Sequence, residues 1–154
     1  TGVQTCALRS AHGMTPKLAR RLSLGLAVVA LGASVYLTVA HYTSPQVLAC
    51  SASGRVNCEA VTTSAQSSFV GIPVAVLGLV WSLAMVGLTL PSAHRWDRAP
   101  LARRVATGLG MGFVLWLVYA ELFLIGAICL WCTLVHVCTF GLFAIVWSEA
   151  DQYS

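Results

Sequence analysis

Four cysteines carry the chemistry that this sequence offers. Cys50 and Cys58 are separated by seven residues that include the turn-prone Ser51-Ala52-Ser53-Gly54, while Cys129 and Cys132 close a CLWC motif. Two thiol pairs can exchange electrons through reversible disulfides, hold zinc as a tetrahedral set of thiolates, or staple the chain. A disulfide inside CxxC closes too small a loop to gain much by restricting the unfolded chain, which argues against stapling alone. Cys138 has no obvious partner and reads as a small buried apolar residue. Cys6 is a further thiol only if the first residues belong to the protein.

The elements around these cysteines follow from composition. The chain has 154 residues, of which 58% are hydrophobic and 9% charged. An ordinary soluble domain is about a quarter charged, and a short chain cannot hide so much apolar surface in one core. Lipid is the solvent that suits it. Leu22 to Ala40 supplies one run of spanning length, and Gly71 to Leu90 a second whose Pro73 suits a first helical turn. Residues 105–147 are then apolar for 43 residues, broken only by Glu121 and His136. One helix of that length would rise about 65 Å, roughly twice the hydrocarbon thickness. Two helices with a tight turn at Ile125-Gly126-Ala127 fit better. The expected fold is all-α: a bundle of four transmembrane helices over about 22–40, 71–90, 105–125 and 127–147, with an extracytoplasmic loop between the first two. Residues 14–154 form one membrane domain. Residues 1–13 are read as an assembly artefact or disordered tail, because TGVQTCAL is similar to a translated sequencing adapter and Met14-Thr15-Pro16-Lys17 reads like a start.

Charge assigns the sides. With Arg9 set apart, Lys17, Arg20, Arg21, Arg95, Arg98, Arg103 and Arg104 fall on one face and only Arg55 on the other. Cytoplasmic segments carry the Lys and Arg excess, so both termini and the 91–104 loop are expected inside. The net charge of +4 is therefore a topology signal rather than a nucleic-acid footprint. Both cysteine pairs then lie at the outer membrane boundary, where disulfides persist. A CxxC at the start of a helix meets free backbone N–H groups and the positive end of the macrodipole, which favour a thiolate. Asn57 is positioned to cap a short helix opening at Cys58, which the β-branched Val61-Thr62-Thr63 would weaken.

Ionisable groups at membrane depth are costly and mark function. His136 lies one turn beyond Cys132 on the same face, placed to bond a ligand oxygen, to supply a proton, or to glue two helices. Glu121 sits a turn before the outward boundary, as a proton relay or as a side chain reaching the interface. Trp81 and Trp116 fall near mid-span, away from an aromatic belt, as walls for an apolar ring or as core. Gly25 and Gly32 are expected to allow close helix packing.

Taken together, these residues resemble the bacterial branch of the vitamin K epoxide reductase family. The similarity rests on Cys50, Cys58, Ser64 and the CLWC at Cys129–Cys132, on FVGIPVAVLGL from Phe69 to Leu79, and on the C-x-x-C-x-x-x-H pattern ending at His136. It covers about residues 22–147. The resemblance implies a bundle enclosing a quinone of the menaquinone or ubiquinone type near its outer end, with no metal. It implies that Cys50 exchanges with a secreted thioredoxin-like partner, Cys58 relays to Cys129, Cys132 lies beside the quinone, and Ser64 hydrogen-bonds nearby. The chain stops after its fourth span, so the partner is expected to be a separate protein rather than a fused domain. The expected function is thus a plasma- or inner-membrane thiol–quinone oxidoreductase that promotes disulfide formation. The alternative is a non-enzymatic four-span protein with a disulfide-braced or zinc-binding outer loop.

Overall fold

Thr15 opens the first long helix in the computed structural model, which describes residues 14–44, 46, 48–50 and 54–151. The expectations for residues 1–13, with Cys6 and Arg9, and for Ser51, Ala52 and Ser53 lie outside the described residues. The Thr15 side chain accepts the Leu18 N–H at 3.3 Å and Pro16 occupies the first turn, so helix α1 (Pro16–Tyr42) starts with two of its free donors dealt with. Its buried stripe is Ala19, Ser23, Ala27, Ala30, Ala33, Ser34, Leu37 and Ala40, which recur with the period of a helix on one side of it. Such small side chains let backbones approach closely, and α1 packs against both helix α3 (Val74–Thr89) and helix α5 (Leu130–Asp151). Gly25 and Gly32 do not serve this purpose. Both are exposed, with open space where a Cβ would stand, because they fall between the positions of the buried stripe. The close approaches are at Gly110 and Gly141, where a Cβ would stand 2.8 Å from Trp81 and Leu26.

Helix α2 is the short piece Cys58–Thr62, and Asn57 caps it by accepting the Ala60 N–H at 3.0 Å. A two-residue hairpin follows, β1 (Ser68–Phe69) against β2 (Ile72–Pro73), with Phe69 opposite Ile72. Its turn residues Val70 and Gly71 both have positive φ, 53° and 80°. That suits the right-handed twist of a tight hairpin but strains a β-branched residue. Helix α4 (Ala99–Tyr119) continues through a π-helical turn, Ala120–Ile125, and stops at Gly126 in the left-handed region (φ 71°). The turn therefore falls where the length of the apolar run requires it.

Three helical segments, Pro16–Tyr42, Ala99–Ile125 and Leu130–Glu149, are long and apolar enough to cross a membrane. The fourth apolar helix, α3, has 16 residues and rises about 24 Å, short of the roughly 30 Å hydrocarbon core. The outside of the bundle is apolar: Val28, Val39, Leu83, Leu109, Val137 and Phe140 are all more than half exposed. The inside is partly polar, with the Ser34 and Ser82 hydroxyls 3.4 Å apart across α1 and α3. That inversion fits a lipid solvent. At the end away from the cysteine pairs, Arg103 bonds Glu149 at 3.1 Å and joins α4 to α5.

Candidate redox site

Cys50 and Cys58 form a disulfide, with Cα atoms 6.0 Å apart, whereas Cys129 and Cys132 are free thiols. The loop pair is asymmetric. Cys50 is half-buried and Cys58 is 1% exposed. The loop leading to Cys50 is held by the Tyr36 hydroxyl, which accepts the Ala49 N–H at 3.0 Å, and the Tyr36 ring lies 4.6 Å from that of Trp131. Tyr36 thus connects the Cys50 loop to the residue between the CxxC cysteines.

A parallel bridge between Val56 and Ile128 brings the two pairs together. The Asn57 N–H donates to the Ile128 carbonyl at 3.1 Å, and the Ile128 N–H donates to the Arg55 carbonyl at 2.8 Å. Cys58 follows Val56 by two residues and Cys129 follows Ile128 by one. Both sulfurs belong to one buried cluster with Leu37, Ala40, Leu48, Val61 and Ala127, against which Cys50 and Cys132 pack. Sequence spacing alone does not reveal this bridge, because its partners lie 72 positions apart.

Cys129 immediately precedes helix α5, and its sulfur stands where a capping oxygen would. The Cys132 N–H donates to Cys129 Sγ at 3.3 Å, and Thr133 closes the turn on the Cys129 carbonyl at 2.8 Å. The Cys132 thiol also donates to this sulfur. That bond first, and then the backbone amides, hold the Cys129 thiol below its usual value against the opposing effect of burial.

A cavity of about 480 Å³ opens beside the CxxC. Cys132 is the one cysteine among the described residues on its wall. Ser64, Trp81 and His136, expected from the sequence as ligand contacts, also line it, as do Glu121, His41, Phe69 and Phe113. The Ser64 hydroxyl donates to the Val61 carbonyl at 2.8 Å, which leaves its lone pairs for the cavity. Trp81 donates its ring N–H to the Ala106 carbonyl at 2.9 Å, so it braces α3 on α4 as well as forming a wall. Trp116, expected beside the cavity, lies outside the lining: it is 46% exposed, with its ring 6.0 Å from that of Tyr119. The lining face of α4 runs through Leu109, Gly110, Phe113, Val114 and Leu117, and helical phase turns Trp116 off that face. Cys138 is buried and away from the cavity. Among the described residues no group of three or more His, Cys, Asp and Glu is arranged to hold a metal ion. With Cys50 and Cys58 bonded to each other, two of the thiolates that a four-cysteine zinc site needs are already engaged.

A disulfide and a dithiol packed together beside an apolar cavity, among apolar helices, define a membrane oxidoreductase that works on thiols and disulfides. The model of the vitamin K epoxide reductase family matches residues 21–147, and the chain belongs to that family. Comparison with curated proteins finds no match. Members of the family use quinones, and the walls of the cavity combine the aromatic Trp81 and Phe113 with polar side chains at Ser64, Glu121 and His136.

Proposed function

We propose that this chain is a four-span thiol–quinone oxidoreductase of the plasma or inner membrane. In this reading both termini are cytoplasmic, the cysteines face outward, and the electron donor is a separate thioredoxin-like protein. The observation that carries the reading is the packing order: half-buried Cys50, buried Cys58 and Cys129 in one cluster, and Cys132 on the cavity wall. The basic residues flanking the ends of the helices opposite the cysteines support the orientation.

A partner thiolate attacks Cys50 Sγ and Cys58 leaves as the thiolate. The second partner thiol breaks the mixed disulfide, and the partner departs oxidised. Cys58 then attacks Cys129 of a Cys129–Cys132 disulfide, releasing Cys132, and Cys50 closes on Cys58 to free Cys129. The electron pair now rests on Cys129 and Cys132, the redox state of the structure. A quinone bound beside Cys132 supplies the acceptor for two electrons and two protons. Ser64, His136 and Trp81 would hold it, and the identity of its ring substituents and tail does not enter these steps.

The test is oxidation of a reduced thioredoxin-like protein by the purified chain in vesicles, with and without menaquinone or ubiquinone. Quinone-dependent turnover is expected for the wild type, and its loss for Cys129→Ala and Cys132→Ala. Cys50→Ala is expected to block partner oxidation. Partner oxidation at the wild-type rate by Cys50→Ala would contradict the relay.

A further inference from the structure

Glu121 is a buried carboxyl that the cysteine relay leaves without a task. It is 6% exposed, has no ion-pair partner among the described residues, and lines the same cavity as Cys132 and His136. The π-helical turn Ala120–Ile125 directs it there, and such turns are frequent at functional sites. Its carboxyl and the Cys132 thiol line one cavity, and Cys129 follows the same π-helical turn by four residues. One carboxyl therefore shares the cavity wall with the thiol of the dithiol that reaches it. The other titratable groups around it are few. Cys129 stands just before helix α5, which presents Cys132 and His136; α1 presents His41 at the cavity; α2 carries an exposed Glu59; α4 ends at an exposed Tyr119; and α3 carries no titratable side chain.

We propose that Glu121 carries a proton between the CxxC dithiol and the cavity, an inference that rests on the oxidoreductase reading above. When the Cys129–Cys132 bond forms, two thiols lose two electrons and two protons, and a quinone acceptor takes up both electrons and both protons. The Cys132 proton passes to a Glu121 carboxylate oxygen, which holds it at the cavity wall and returns to carboxylate on giving it up. His136, the other buried titratable group of the wall, is placed to pass on the second.

The experiment compares wild type, Glu121→Gln and Glu121→Asp in vesicles by two readouts. The first is alkylation of the reduced CxxC against pH without quinone. Removing a neighbouring negative charge favours the thiolate, so Glu121→Gln is expected to alkylate at lower pH than wild type. The second is quinone-dependent turnover. Glu121→Gln is expected to lose roughly 10²-fold or more in kcat, the usual size of a lost proton-transfer group. The quinone KM and single-turnover exchange with the partner should stay within about 2-fold, with Glu121→Asp recovering part of kcat. A more nucleophilic dithiol that turns over more slowly separates proton transfer from a structural role. Wild-type kcat in Glu121→Gln, an unmoved alkylation profile, or an equal loss of partner exchange would each overturn the proposal. Absence of quinone turnover in the wild type would instead defeat the functional reading, and the alkylation profile would still report whether this carboxylate senses the thiols.

Discussion

Adding one methyl group at Gly110 should separate substrate binding from thiol exchange. An alanine Cβ there would stand 2.8 Å from two ring carbons of Trp81 and 2.9 Å from its ring nitrogen, distances that real side chains do not keep. The backbone of α4 cannot yield, because it is hydrogen-bonded through this turn, so the indole must move. Moving it breaks the 2.9 Å bond from Trp81 to the Ala106 carbonyl, about 1 kcal/mol, and overpacking adds about 1–3 kcal/mol. Trp81 and Gly110 both line the cavity, so the strain appears as a changed wall. If about 1–2 kcal/mol of this falls on the acceptor, KM for quinone rises roughly 5- to 30-fold. The assay is steady-state quinone reduction by Gly110→Ala, with single-turnover oxidation of a reduced thioredoxin-like protein alongside. Exchange at Cys50 should be unchanged, since the loop pair lies in a different cluster from Trp81. An unaltered quinone KM together with an unaltered melting temperature would refute the argument from Trp81 packing.

Other outcomes follow from single contacts. Cys132→Ala removes the thiol that donates to Cys129 Sγ, so the Cys129 thiol should return upward toward its ordinary value and alkylate more slowly at pH 7. Above the ordinary thiol value both proteins should react alike, because both are then thiolate. Asn57→Ala keeps the backbone bond to Ile128 but loses the cap on α2, about 0.5–2 kcal/mol. Cys58 in the reduced protein should then alkylate faster and its transfer to Cys129 should slow. Trp116→Ala should leave the quinone KM unchanged, because that ring faces away from the cavity.

Much of the architecture was legible because lipid imposes a simple rule on sequence. The apolar run at 105–147 had to fold back on itself, and Gly126 was the residue able to take the left-handed turn. Asn57 before Cys58 was legible as a cap for the same local reason. Contacts set by helix phase were harder. Trp81 and Trp116 look alike in sequence, yet one faces the cavity and the other its surroundings. Nearly uniform hydrophobicity erases the polar stripe that would have oriented α4. The glycines misled for a related reason: α1 packs through alanines and serines at helical spacing, and Gly25 and Gly32 fall off that stripe. The hairpin at Val70-Gly71 was hidden because a β-branched residue rarely takes positive φ. The Val56–Ile128 bridge, which joins the cysteine pairs, is a long-range pairing with no local sequence signature.

The central claim is that Cys58 reaches Cys129. The most direct measurement is disulfide mapping of a Cys50→Ala, Cys132→Ala variant after mild oxidation in vesicles, which leaves only those two cysteines of the four. A peptide linked through Cys58 and Cys129 is the predicted product. Two thiols that both stay open to alkylation, with no such link, would contradict the account.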